Sequence, residues 1–252
     1  MIIKSQKEKE FLGVSGQILA RVLALVAKEI KPGIKAGELD LMAEREIKKA
    51  GAAPSFQGYS EKNKRPYSSS ICVSINDEVV HGIPEKKILK EGDVVSLDLG
   101  VNYKGFFTDA ALTVLVGEDD KSSQKLIDVC HKALDIAIKK CKAGVYTGDI
   151  GYAVESFVAK NGFKVFRELV GHGVGRAVHE PPQIPNWGKP QTGEILKEGM
   201  VLALEPMISE GEASLILDQD GWTLKTKDGS RASHFEHTVL VNKDNCEVLT
   251  KI

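Results

Sequence analysis

A chain that repeats its own turns and strands is constrained to fold as two similar halves, and this one repeats them at a nearly constant interval. Gly33, Gly37, Glu44, Lys49 and Gly51 recur as Gly144, Gly148, Glu155, Lys160 and Gly162, each 111 residues on. Further along the interval drops to 107, where Lys90-Glu91-Gly92 recurs as Lys197-Glu198-Gly199. Lys-Glu-Gly is a common turn tripeptide, but here the helix, the turn and the strand recur with it in the same order. The expected organisation is one domain over 1–252, built of halves at about 7–117 and 122–246. The first half opens with Phe11, Val14, Ile18, Val22 and Leu25 at helical spacing between Lys7 and Ile30, stopped by Lys31-Pro32-Gly33. A second periodic segment ends at Lys142-Ala143-Gly144. Helix, turn, helix and strands in each half give an α+β fold class. A pseudo-twofold axis between the halves would bring the strands carrying Asp98, Asp109, Glu205 and Glu236 to the centre of one sheet.

Those acidic residues are out of place in their strands. Asp98 lies in Val94-Val-Ser-Leu-Asp-Leu-Gly100 and Glu205 in Val201-Leu-Ala-Leu-Glu-Pro-Met207, each six residues after the repeated glycine. A carboxylate buried in such a strand costs several kcal/mol, roughly, unless an opposite charge meets it, and neither strand carries Lys or Arg. With Asp109, His172 and Glu236 they make five metal-donor candidates in apolar surroundings. Any one alone could be a helix cap or a surface acid; all five together point to a metal site. Alternation puts Val94, Ser96, Asp98 and Gly100 on one face, and Val201, Ala203, Glu205 and Met207 on the equivalent one, where the small Ser96 and Ala203 would leave room for an ion. Four carboxylates and a neutral imidazole carry a charge of about −4, which two divalent ions would balance. Such a donor set suits Mn, Fe(II), Co or Zn without choosing among them.

Three further observations bear on function. His172 stands in Gly171-His-Gly-Val-Gly175, where the glycines would let the backbone approach a ligand. His81 and His179 lie in matched Val-His turns ahead of the two acidic strands and read as hydrogen-bond donors to a substrate or transition state. Parity puts His234 on the Glu236 face and His237 on the other, while His131 reads as surface. With 252 residues, 42% hydrophobic and 27% charged, the chain is globular, and a net charge of −1 gives no basic footprint for nucleic acid. The cysteines Cys72, Cys130, Cys141 and Cys246 form no metal or disulfide pattern. No leader-like run opens the chain and no stretch is expected to approach a membrane span, so a cytoplasmic protein with no membrane partner is expected.

Taken together, Val80-His-Gly-Ile-Pro84, Ser96-Leu-Asp-Leu-Gly100, Phe107-Thr-Asp109, Gly171-His-Gly173, Leu204-Glu-Pro-Met207 and Phe235-Glu-His-Thr238 resemble the methionine aminopeptidase family over nearly the whole chain. The resemblance implies the pita-bread α+β fold, with pseudo-twofold-related halves and a central antiparallel sheet flanked by helices. It implies removal of an N-terminal methionine, preferably before a small second residue, by hydroxide activated between two divalent metal ions. Asp98 would bind one metal, His172 and Glu205 the other, and Asp109 and Glu236 would bridge. Glu205 would also carry the proton to the leaving amine, His179 would stabilise the oxyanion, and His81 would hold the amide side of the scissile bond. Tyr59, Tyr67, Cys72 and Trp222 match methionine-pocket positions, although composition alone would leave them as ordinary core or loop residues.

Type I of the bacterial kind is the form most resembled. The chain begins shortly before its first helix, without the N-terminal domain of prolidases, and the Glu205 to Glu236 interval lacks the type II insertion. The implied substrates are the N-termini of nascent polypeptides near the ribosome, acted on by a cytoplasmic monomer. Val80 and Val178 stand where Cys and Phe are common, His234 where Gln is common, and the 60–65 stretch is unusually charged. Two other readings are a proline-directed aminopeptidase, against which the missing N-terminal domain counts, and a non-catalytic binding module, against which the five intact donors count.

Overall fold

The computed structural model describes residues 1–60, 65–117 and 120–251, so most of the charged 60–65 stretch lies outside the described residues. In chain order the elements are α1 (Gln6–Lys28), α2 (Ala36–Lys49), β1 (Ala53–Pro54), β2 (Ile71–Ile75), β3 (Glu78–Val80), β4 (Val94–Tyr103), β5 (Phe106–Leu115), α3 (Lys121–Lys140), α4 (Thr147–Lys160), β6 (Lys164–Val165), β7 (Val170–Gly173), β8 (Glu180–Pro185), β9 (Val201–Leu204), β10 (Met207–Ser209), β11 (Leu215–Leu217), β12 (Leu224–Thr226), β13 (Ala232–His234), β14 (Glu236–Val241) and β15 (Cys246–Val248). Nine strands form one antiparallel sheet in the order β1-β4-β5-β14-β9-β7-β8, with β2 also paired to β4 and β15 to β14. Two small sheets, β13-β10-β6 and β11-β12-β3, complete an α+β architecture, and β13 packs against β4 and β5.

The helices begin where side chains can satisfy their first N–H groups. Ser5 Oγ accepts from Glu8 N–H at 3.3 Å at the start of α1, and Asp120 accepts from Ser122 and Ser123 at 3.2 and 3.1 Å at the start of α3. The buried stripe of α1 is rotated about one residue from the one its apolar spacing predicts. Leu12, Ser15, Gly16, Leu19, Val22, Leu23 and Val26 are buried, whereas Phe11, Val14 and Ile18 are half-buried and Leu25 is 46% exposed. The cause is the pair of small residues that a hydrophobicity pattern does not count. Ser15 Oγ donates to Val101 O at 3.0 Å and meets Thr108 Oγ1 at 2.9 Å, and Gly16 lies so close to the Leu249 carbonyl that a Cβ would collide with it. By length and composition α1 is also apolar enough to cross a membrane, which corrects the expectation that no stretch is; here its buried stripe lies in the chain's own core.

That core fixes which way the sheet faces. Leu19, Val22 and Val26 of α1 and Leu39 and Ile47 of α2 pack against Ile71, Val73, Val95, Leu97 and Leu99, while Leu126, Leu134, Val154 and Val158 of α3 and α4 pack against Leu202, Leu204, Val239 and Val241. Each such aliphatic burial is worth about 1.5–3 kcal/mol. Because alternate residues of β4 point oppositely, burying Val95, Leu97 and Leu99 under the helices presents Ser96, Asp98 and Gly100 to the other face. The turns that launch β4 and the strand leading to Glu205 are alike: Gly92 and Gly199 have φ of 82° and 83°, a left-handed conformation that costs glycine no Cβ clash.

Candidate metal centre and active site

Strand register gathers the five donor candidates on one face of the large sheet. Asp98 on β4 stands opposite Ala111 on β5, and Ala111 stands opposite Glu236 on β14. Directly opposed residues share a face, so the methyl group of Ala111 is all that separates two carboxylate-bearing positions. Asp109 lies two residues away on β5, its backbone N–H donating to Thr238 Oγ1 at 2.8 Å and its carbonyl accepting that hydroxyl at 2.7 Å. The next row runs His172, Ala203, Thr238 across β7, β9 and β14, and Glu205 follows the last residue of β9. Room at the centre therefore comes from Ala111 and Ala203. Ser96 contributes none, since its hydroxyl meets Thr113 Oγ1 at 2.8 Å. Ala111 went unnoticed in the sequence because its importance is a matter of cross-strand register.

The charges in this cluster are not balanced by the protein. Asp98 Oδ1, Asp109 Oδ1 and Glu236 Oε1 are buried without a hydrogen-bond partner. No Lys or Arg pairs with these carboxylates among the described residues; the ion pairs are His172 Nε2 to Glu205 Oε1 at 3.2 Å, and His234 Nε2 to Glu205 Oε2 at 3.5 Å and to Glu236 Oε2 at 4.0 Å. Burial, then the neighbouring acids, pushes Asp109 and Glu236 well above the usual carboxylate range. Asp98 is raised, chiefly by burial, to about 6. Glu205 is the exception: burial pushes it up, but the two imidazoles outweigh that and hold it at about 2. His172 moves the other way, pulled down by burial and raised further by Glu205. Ligand atoms of Asp109, His172 and Glu236, and of Glu205, His234 and Glu236, each lie within 4.8 Å of one another. Orphaned buried oxygens around imidazole nitrogens are what a divalent cation would satisfy, so the residues present fit a metal.

The glycines flanking His172 have a different purpose from the one their sequence suggests. A Cβ on Gly171 would meet Ala203 O, and one on Gly173 would meet Pro181 O. The close approach is thus between β7 and its neighbours β9 and β8, seating His172, with Nδ1 2.9 Å from Gly173 O. Gly173→Ala is expected to destabilise the protein by about 1–3 kcal/mol, because strand backbone cannot give way as a flexible side chain can. Chemical denaturation measures this, and an unchanged midpoint would contradict it.

A cavity of about 940 Å³ opens onto the cluster, lined by Asp98, Asp109, His172, Glu205 and Glu236 together with His81 and His179. His179 is exposed on its wall, with its ring 4.5 Å from that of His172 and Nδ1 2.9 Å from the Tyr59 hydroxyl. His81, at φ 59°, lies 6.2 Å from the Trp222 ring. Tyr67, Cys72 and Trp222 form a buried cluster with Phe56, Tyr59 and Ile83 around it. Tyr67 O–H donates to Gly82 O at 3.0 Å and Trp222 Nε1–H to Arg65 O at 2.9 Å, which ties these rings to the His81 turn and to the chain before β2. Met207, on the Glu205 face by alternation, also lines the cavity, as does Phe56, which no sequence pattern marks. His131 is exposed and stacks on Phe235, and His237 Nδ1 meets Thr250 Oγ1 at 2.9 Å, away from the donors.

Residues 10–243 match the model of metallopeptidase family M24. The chain belongs to family M24. Among its M24 relatives, a methionine aminopeptidase from Aquifex aeolicus is 45% identical, the match covering 98% of each chain. Methionine aminopeptidase 1 of Bacillus subtilis is 42% identical over 100% of both. The crystal structure of a methionine aminopeptidase from Thermotoga maritima superposes with a TM-score of 0.96 at 45% identity, covering 100% of both chains. The expected pita-bread α+β fold holds, and membership of M24 carries with it the use of divalent metal. Two departures noted in the sequence, Val80 and Val178, are buried on the cavity wall of this M24 site, and the third, His234, is buried against Glu205.

Proposed function

We infer that this chain is a methionine aminopeptidase, hydrolysing the first peptide bond of polypeptides that begin with methionine. The observation that carries the reading is the unbalanced donor cluster at the floor of a cavity with aromatic and apolar walls, in a chain 42–45% identical to methionine aminopeptidases along its whole length. Asp98, Asp109, His172, Glu205 and Glu236 would hold the metal, and their charge of about −4 would be balanced by two divalent ions. Bound there, such ions lower the pKa of water toward neutrality and polarise a carbonyl as Lewis acids.

The remaining work falls to this chain's side chains. Glu205 accepts the proton of the attacking water and returns it to the leaving amine. His179 donates to the developing oxyanion, its ring oriented by the Tyr59 hydroxyl 2.9 Å from Nδ1. His81 holds the amide side of the scissile bond. Tyr59, Tyr67, Cys72 and Trp222 receive the methionine side chain, whose polarizable thioether suits aromatic walls and a thiol. On this reading, substrates with a small second residue are preferred.

The same reading takes the substrates to be N-termini of nascent chains near the ribosome, in the cytoplasm. It takes a single subunit to suffice, since one chain supplies every donor. It also treats 1–252 as a single catalytic domain of two duplicated halves, supported by α2 and α4, each of 14 residues and starting 111 residues apart at Ala36 and Thr147. Neither a proline-directed specificity nor a non-catalytic role is favoured by the relatives or by the intact donor set. The test is release of methionine from Met-Gly-Met-Met, compared with Leu- and X-Pro- peptides. Release should cease with chelator and return on adding divalent metal, and methionine release insensitive to chelator, or none at all, would overturn the reading.

A further inference from the structure

Glu205 lies between two imidazoles, and the two are not equivalent. His172 Nε2 is 3.2 Å from Oε1, and His234 Nε2 is 3.5 Å from Oε2. On its far side, His172 Nδ1 meets Gly173 O at 2.9 Å, whereas both ring nitrogens of His234 are buried outside hydrogen-bond geometry, Nε2 facing carboxylates and Nδ1 with no ion-pair acceptor near it. A neutral imidazole carries one N–H. For His172 the Gly173 carbonyl can accept hydrogen from Nδ1, so that Nε2 would be free to serve as the ligand atom once a metal displaces its contact with Glu205. For His234 the same tautomer would bury an N–H with nothing to accept it, and orphaned N–H groups are rarer than orphaned acceptors. Hydrogen on Nε2 instead faces Glu205 Oε2 at 3.5 Å and Glu236 Oε2 at 4.0 Å, ion-pair distances from which a small turn of the Glu205 carboxylate would make a hydrogen bond. The backbone that carries the ring is also held. His234 N–H donates to Thr113 Oγ1 at 3.0 Å, the Thr113 hydroxyl reaches His234 O at 2.7 Å, and Ser96 Oγ meets Thr113 Oγ1 at 2.8 Å, which anchors β13 to β4 and β5.

We propose that His234 is a positioning residue for Glu205: its Nε2–H holds Oε2 and so turns Oε1 toward His172 and the metal donors. It acts through Glu205 and is not a sixth ligand. The proposal rests on the reading of Glu205 as metal ligand and proton carrier.

Wild-type, His234→Gln and His234→Leu proteins test it with three measurements: ring-nitrogen NMR of the metal-free wild type, Mn(II) affinity by calorimetry, and kcat and KM on Met-Gly-Met-Met. The expected wild-type tautomer is Nε2–H. His234→Leu should lose roughly 10- to 100-fold in Mn(II) affinity and in kcat with little change in KM, and His234→Gln, whose amide N–H reaches the same oxygen, should restore both to within roughly threefold. An Nδ1–H tautomer, or wild-type Mn(II) affinity in His234→Leu, overturns the proposal. Equal impairment of both variants would mark His234 as a nitrogen ligand and overturns it as well. Should His234→Leu fail to fold, the tautomer and His234→Gln decide the question. If the wild type releases no methionine, the functional reading fails, while the NMR and Mn(II) measurements still judge this proposal.

Discussion

Replacing His179 by alanine is expected to lower kcat by roughly 10²–10³ while metal content stays at the wild-type level. The two effects separate because His179 is exposed on the cavity wall and, although its ring lies 4.5 Å from that of His172, it is not one of the buried donors. Its removal leaves Asp98, Asp109, His172, Glu205 and Glu236 in place and takes away only a donor aimed at charge that develops during the reaction. Such a donor is worth more in the transition state than in the ground state, so kcat should fall further than KM rises. Saturation kinetics on Met-Gly-Met-Met, with metal analysis of the same preparation, measures both; a wild-type rate would remove His179 from the chemistry. Tyr59→Phe should cost less, because it loosens the ring without removing the imidazole.

Glu236→Gln should have opposite effects on metal binding and on the stability of the metal-free protein. It removes a donor, so metal affinity should drop by more than roughly 100-fold, with activity lost in proportion. It also removes one charge from a buried crowd. Burial and the charges of Asp109, Glu205 and Asp98 raise Glu236 well above its usual range, and Asp98 is raised to about 6. A carboxyl whose folded pKa lies above its unfolded one contributes stability in full below the unfolded value, and that stability is lost as pH rises through the folded value. Metal-free protein should therefore weaken as pH rises from the ordinary 3.8 of an aspartate past 6, Asp98 alone accounting for something on the order of 3 kcal/mol. Glu205 has the opposite sign: lowered to about 2 from 4.5, it contributes stability that is lost only as pH falls through that lower range. Glu236→Gln should flatten the decline and raise the metal-free Tm at neutral pH, each kcal/mol relieved adding about 2–4 °C. Thermal denaturation of chelator-treated protein against pH checks this, and an unchanged Tm would mean that the crowding is relieved in some other way.

The departures from expectation share a physical origin. The stripe of α1 was misplaced because Ser15 and Gly16 are not apolar, yet Ser15 meets Val101 and Thr108, and Gly16 meets Leu249. The glycines around His172 suggest room for a ligand by sequence, and the structure gives that room to β8 and β9. Ser96 was expected to leave space and instead spends its hydroxyl on Thr113, while Ala111, unremarked in the sequence, separates Asp98 from Glu236. His234 was placed on the correct face by parity, but its contact with Glu205 depends on β10 pairing with β13.

The sequence by itself determined the α+β class and the five donor candidates, because both follow from local physics. Period-two alternation dictates which residues of β4 face the helices, and a carboxylate in an apolar strand is conspicuous without reference to anything distant. Only the tertiary structure decided how those donors meet. Asp98, Ala111 and Glu236 form one row across three strands, and His172, Ala203 and Thr238 another, through pairings between residues far apart in the chain. Register between distant strands is set by the whole packed core, so no segment carries it alone.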